Sequence, residues 1–269
     1  MGKGCNLLYF FFVLALNGFA QGPVNGFMPQ DGQVDLALTY STEQYDNFWA
    51  GDGSNEERSL EGFSYSAFLE YGLDAKTSLV FTVPYIEHNS LNKGWQDASI
   101  WFKYRNERTE KQQGISQFIT AIGLSVPVSQ YPNDNPLAIG RRSTTFQGRL
   151  IWQYNANYGW FINIQSGIDF QFAPIAQGAA PFLIRGGLGT SRFYTDIWLE
   201  RYQSLNATAD INNLAAGTGS SWTKSGFTFY VPIQNWVGIF TSGAIILGGR
   251  NIGQSRRINL GAVFRLNTN

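Results

Sequence analysis

The sequence predicts an all-β protein: a transmembrane antiparallel up-and-down β-barrel of about twelve strands in the outer membrane of a Gram-negative-type cell, behind a cleaved N-terminal signal peptide. Three observations predict it. Apolar and polar residues alternate with period two in segments of about ten residues. Long and short connections between these segments tend to alternate, as they do where outer loops are long and periplasmic turns tight. Charged residues within the segments keep to one of the two phases, which spares lipid-facing charge a cost of about 2–4 kcal/mol per Arg or Lys at the midplane.

Composition agrees with a wall that is apolar outside and polar inside. Charged residues make up 14% of the chain, below the roughly 25% usual in soluble domains, while aromatics reach 16% and there are 30 glycines. Mean hydropathy is slightly negative because the two phases cancel. Lys+Arg 19 balances Asp+Glu 19, so nothing points to nucleic acid or to a polybasic membrane-surface patch.

Residues 1–20 read as a signal peptide: Lys3 is the positive n-region, Leu7 to Leu16 the apolar h-region, and Gly18-Phe19-Ala20 the small-x-small cleavage site. The apolar stretch is shorter than the ~20 residues that a spanning helix needs. Residues 21–269 then form one barrel domain, without cysteine, since Cys5 precedes the cleavage site.

The strands follow in order after a short polar lead-in. Gln33 to Ser41 sets Val34, Leu36, Leu38 and Tyr40 against Gln33, Asp35 and Ala37. Glu61 to Leu73 sets Phe63, Tyr65, Leu69 and Tyr71 against Ser64, Ser66, Phe68 and Glu70, and Asp74-Ala75-Lys76 turns the chain. Thr77 to Ile86 presents Leu79, Phe81, Val83 and Tyr85, and Gln96 to Arg105 presents Ala98, Ile100, Phe102 and Tyr104. Eight more strands are expected near 116–128, 143–154, 159–172, 181–189, 193–203, 225–232, 237–247 and 256–266. The last is an amphipathic strand with Phe264 near its end, similar to the insertion signal of outer-membrane barrels.

Long connections are expected near 42–60, 87–95, 129–142, 173–180, 204–224 and 248–255. Tight ones fall near 73–76, 155–158, 190–192 and 233–236, with 106–115 as the exception. Tyr40, Trp49, Tyr71, Tyr85, Trp95, Tyr104, Tyr154, Trp160, Trp222, Tyr230 and Trp236 lie near strand ends, where amphipathic rings suit the membrane interfaces.

The inward phase holds Asp35, Glu70, Asp97, Lys103, Arg105, Arg149, Asp169, Arg185, Asp196, Glu200, Arg257 and Arg265, together with the large side chains Phe68, Trp101, Phe161 and Trp198. These are the candidate lumen-lining residues. Two readings stand side by side: a hydrated, weakly selective pore, or a lumen filled by mutually paired side chains. Twelve strands enclose less space than the 16–18 that leave an open channel.

Val83-Pro84-Tyr85, Gly94-Trp95-Gln96-Asp97 and Lys103-Tyr104-Arg105 form a hairpin that resembles one in the outer-membrane family named for the MetA pathway of phenol degradation, a set of transporter-like barrels. Gly123-Leu124-Ser125-Val126-Pro127 with Ala138-Ile139-Gly140 resembles a second strand and loop of that family, and the likeness is expected from strand two to the C-terminus. The resemblance implies passive passage of small, apolar molecules. It supplies no binding residues.

Two other functions compete. His88 and Ser90 have the His-x-Ser spacing of two outer-membrane lipid hydrolases, and alternate residues of a strand share a face. Against this, His88 and Ser90 continue the phase of Pro84 and Ile86, away from lipid. The third reading is an accessory barrel that passes nothing and serves a protein partner in the envelope. Expected partners are therefore outer-membrane lipid, a small-molecule solute and an envelope protein, with no nucleic acid. No cofactor or metal is expected, because scattered loop carboxylates such as Asp31, Asp46, Asp52 and Asp134 lack an ordered ligand spacing.

Overall fold

The computed structural model describes residues 24–88, 90, 92–131, 140, 142–173, 176–205 and 219–267. The signal peptide expected over residues 1–20, and the loop containing Asp134, Ala138 and Ile139, lie outside them. Fourteen strands are present: β1 Gln33–Trp49, β2 Asn55–Gly72, β3 Thr77–Glu87, β4 Lys93–Trp95, β5 Asp97–Lys111, β6 Gly114–Pro127, β7 Thr144–Ala156, β8 Trp160–Ala173, β9 Gln177–Gly189, β10 Tyr194–Ser204, β11 Ser221–Gln234, β12 Val237–Arg250, β13 Ile252–Gly253 and β14 Arg256–Asn267.

Twelve of these make one antiparallel sheet in sequence order, and the sheet closes because β1 pairs with both β2 and β14. The seam runs from Gln33↔Asn267 to Gln44↔Arg256, so neither edge of the wall is left open. The two short strands are extensions on the long-loop side. β4 adds to β3, and β13 adds to the end of β1. The all-β barrel of about twelve strands is thus observed.

Alternation sets the faces. Leu38, Ile100, Phe102, Ile122, Leu150, Phe182, Ile197 and Leu260 stand exposed on the outer surface, while Ala37, Val80, Trp101, Ile119, Ile151 and Val263 of the opposite phase are buried inside. Aromatic pairs mark the outer rims, as Tyr85 with Trp95 (5.5 Å between ring centroids) and Tyr154 with Trp160 (5.4 Å). Two expected rim residues behave differently. Tyr230 is buried inside, and Trp222 faces inward, stacked on its partner Tyr202 at 5.3 Å and 8°.

The connections also need correction. Residues 106–111 and 114–115 are not an irregular exception but continuations of β5 and β6, joined by Gln112-Gln113. Residues 106–111 are all exposed, so both faces there meet water and no apolar period marks the strand. Most of 42–60 is likewise strand, leaving a turn at 50–54. A register shift between Tyr45 and Asn47 in β1 swaps the phase, so that Tyr45 and Phe48, three apart, both border the interior. The connection from β8 to β9 spans only residues 174–176, shorter than expected. At the turn end, Gly159 adopts φ 89°, and a Cβ there would lie 2.4 Å from the Gly189 carbonyl oxygen, so only glycine fits that tight turn.

Candidate functional site: the barrel interior

The tight turns share one end of the barrel with the Gln33↔Asn267 end of the β1–β14 seam, which is the periplasmic end in an outer-membrane barrel. From that end outward, the interior divides into three tiers.

The lowest tier holds a feature that the alternation did not reveal. The lead-in before β1 does not hang outside; residues Val24 to Met28 turn up into the barrel as a strap, with Val24, Asn25 and Phe27 all buried. The Phe27 ring enters a notch edge-on to Phe161 (5.2 Å, 71°) and Tyr194 (6.2 Å, 75°), which stack on each other at 5.5 Å. Three of the strap's backbone carbonyls accept from the wall, as buried polar groups require partners. Lys103 Nζ donates to the Phe27 oxygen (2.6 Å), Gln117 Nε2 to the Gly26 oxygen (2.5 Å) and Gln165 Nε2 to the Val24 oxygen (3.4 Å). A Cβ on Gly26 would come 2.0 Å from Gln153 Oε1. That amide cannot swing clear cheaply, because it accepts from Asn163 Nδ2 (3.0 Å) and donates to Asn155 Oδ1 (2.9 Å).

Charges around the strap are paired. Lys103 and Glu70, both wholly buried, are 2.7 Å apart, and Ser78 Oγ donates to the same Glu70 oxygen at 2.8 Å. Asp35 accepts from Arg265 Nε (2.9 Å) and Gln33 Nε2 (2.8 Å). Asp196 accepts from the Tyr194 hydroxyl at 2.6 Å and faces Arg185 Nε at 3.8 Å.

The middle tier is an apolar girdle of Ala37, Phe68, Val80, Trp101, Ile119, Ile151, Phe240 and Val263. Four large inward rings, in the girdle and next to it, each face a glycine in register on the next strand: Trp101 with Gly123, Phe161 with Gly187, Trp198 with Gly226 and Phe240 with Gly261. A Cβ at any of these glycines would fall within 2.3–2.6 Å of the ring. The pairing keeps bulky side chains against the wall rather than across the axis.

The outer tier opens toward the long loops and contains three cavities of about 330–370 Å³. Its charges are paired as well: Arg149 with Asp169 (2.6 Å), Lys224 with Glu200 (3.3 Å) and Arg257 with Glu43. Asp97 accepts from the Tyr131 hydroxyl (2.6 Å) and the Ser143 amide (3.2 Å). Burial and that carboxylate push the Tyr131 phenol above its ordinary value.

The residues singled out from sequence therefore separate by height. Asp35, Glu70, Lys103, Arg185, Asp196 and Arg265 surround the strap; Trp101 and Trp198 belong to the girdle; Asp97, Arg149, Asp169, Glu200 and Arg257 stand at the mouth. Arg105 joins none of these groups and donates to the Ala75 carbonyl at the periplasmic rim. His88 lines a mouth cavity with Glu43 and Arg257, and Ser90 is exposed. Sequence reasoning passed over the strap and the neutral inward residues Gln117, Gln153, Asn163 and Gln165. The amides carried a usable signal, since they share the phase of the charged residues.

This architecture has counterparts. Residues 17–181, more than half of the 269, match the family described as "Putative MetA-pathway of phenol degradation". The chain belongs to that family. The match bears out the resemblance carried by the β3–β5 hairpin, and it begins earlier and ends sooner than expected, within β9. An outer membrane channel from Pseudomonas putida F1 superposes with a TM-score of 0.66 at 14% identity, over 88% of this chain and 97% of that one. The NanC porin gives 0.59 at 9% identity over 86% and 100%, and the KdgM porin, solved in complex with disordered oligogalacturonate, gives 0.53 at 8% over 85% and 98%. Among curated proteins no match is found. The MetA-pathway family member described here is an outer-membrane β-barrel.

Proposed function

We infer that the barrel is a facilitator for passive passage of small uncharged molecules across the outer membrane, and that its N-terminal strap holds it closed. The observation that carries this reading is the strap itself. Twelve strands enclose more space than the eight whose interior side chains alone can fill. Here part of the interior is taken by a segment tied to the wall through three backbone carbonyls and packed against it by Val24 and Phe27. Such a segment can leave without unpairing a strand. The charges that line the mouth are held in pairs, and the girdle rings lie against glycines of the wall. The apolar solutes implied by family resemblance suit the girdle; the polar mouth favours molecules that also hydrogen-bond.

Liposome swelling tests this. Phe27→Ala removes the ring from its notch, a loss of about 3–5 kcal/mol for a buried phenylalanine. Vesicles carrying this variant should swell faster in small uncharged solutes than vesicles carrying the unaltered barrel. If neither admits any solute while both remain folded by their heat-dependent gel mobility, the reading as an accessory barrel takes its place. A lipid hydrolase is less well supported, because His88 borders the interior rather than the lipid face.

A further inference from the structure

We propose that the mouth of the barrel holds a binding site for a neutral polyhydroxylated solute of mono- to disaccharide size, seated against Trp222. The proposal rests on the channel reading and names the class of molecule that the mouth selects.

The first observation is the chemistry of the wall. A cavity of about 330 Å³ between β6 and β11 is lined by Ser125, Thr145, Gln147, Gln171, Gln177 and Ser204. The cavity across the mouth repeats the pattern with Ser41, Ser64, Ser66 and Asn259, next to the Arg257–Glu43 pair. Hydroxyl and amide side chains each donate and accept. A sugar hydroxyl also does both, so such a wall matches it at every position without a fixed polarity. The volume falls in the range of roughly 300–1,000 Å³ typical of small-molecule sites.

The second observation is the aromatic platform. Trp222 borders both the first of these cavities and a third, of about 370 Å³, so its ring lies between them. Tyr202 backs it in a nearly parallel stack, at 8° and 5.3 Å, and Lys224 Nζ lies 4.6 Å from its centroid. The ring is thus fixed in orientation. The part of the ring that Tyr202 and the Lys224 ammonium leave uncovered is a rigid apolar surface beside amphoteric hydrogen-bonding groups, which suits a pyranose with C–H groups on its faces and hydroxyls around its edge.

The third observation is the pairing of the charges that line these cavities. An anionic solute needs an uncommitted cation, yet Lys224 is engaged by Glu200 at 3.3 Å and Arg257 by Glu43, while Arg149 is held by Asp169 at 2.6 Å. A wholly apolar solute would strip water from the hydroxyl and amide wall and give nothing in return.

Titration calorimetry of the full-length barrel in detergent decides the matter, with maltose, glucuronate and phenol as probes. Maltose should bind saturably, and Trp222→Ala should weaken it about tenfold, the stacking contribution expressed as affinity. Trp222→Phe keeps a platform and should stay within about threefold of the unaltered protein, and Gln147→Leu should weaken maltose by about threefold to tenfold through one lost polar partner. Absence of saturable maltose binding, or maltose binding indifferent to Trp222→Ala in a barrel of normal gel mobility, overturns the proposal. So does binding of glucuronate or phenol that maltose fails to displace. Vesicles that swell in small solutes while maltose fails to bind would sink this site and leave the channel standing; maltose bound by a barrel that never swells would do the reverse.

Discussion

Lys103 and Glu70 show what a buried charge means in this interior. Neither side chain is exposed at all, and Lys103 also ties down the Phe27 carbonyl. Removing one partner leaves the other charged, dry and uncompensated. Glu70→Gln is therefore expected to cost about 3–5 kcal/mol, read from urea unfolding of the detergent-folded barrel, whereas the joint replacement Glu70→Leu with Lys103→Met should cost much less. Equal losses in both would show that the pair itself stabilises. At the surface the logic differs. Asp74, fully exposed in the β2–β3 turn, accepts from the amides of Lys76 (2.6 Å) and Thr77 (2.9 Å), and these bonds hold its carboxyl below the usual range. A lowered folded value means that its stabilisation is complete above the unfolded value near 3.9 and fades as pH falls through the folded one. Asp74→Asn should thus reduce the pH dependence of stability in that acid window and leave the slope at neutral pH unchanged, as measured by unfolding between pH 2 and 7 at roughly unit intervals.

Among the elements, alternation made the strands legible wherever one face meets lipid and the other the interior. Thr77–Glu87 differs from the expected strand by one residue for that reason. Legibility failed where both faces are wet, as in Asn106 to Lys111, because no apolar period is imposed there. The β1 irregularity near Tyr45 was hidden for another reason: a one-residue register shift inverts every later face and leaves no composition signature. Of the candidate site, the charged lining was visible through its phase. Trp222 was misplaced at the rim because aromatics near strand ends fit either a membrane interface or an inward platform. The two faces can be tested directly. Ile122, 49% exposed on the outer surface of β6, should cost about 2–4 kcal/mol when replaced by Arg. Arg at Thr109, on the wet extension of β5, should be nearly neutral. Similar costs at both sites would contradict the assigned wall.

At the scale of the molecule, closure of β1 on β14 removes the sheet edges, and the strap occupies part of the enclosed space, where the proposed function has it hold the passage shut. Val24-Asn25-Gly26-Phe27-Met28 has no periodicity to announce it, and its meaning comes only from the notch and donors it meets in the finished barrel. Among the described residues the mouth holds cavities on either side of Trp222 and paired charges. The strap packs against the girdle beneath that mouth. Single-channel recording in planar bilayers, with and without residues 24–28, measures that arrangement most directly. The intact barrel should stay closed with brief openings, and the shortened one should carry a sustained current. Identical traces from the two proteins would show that the strap does not govern the passage.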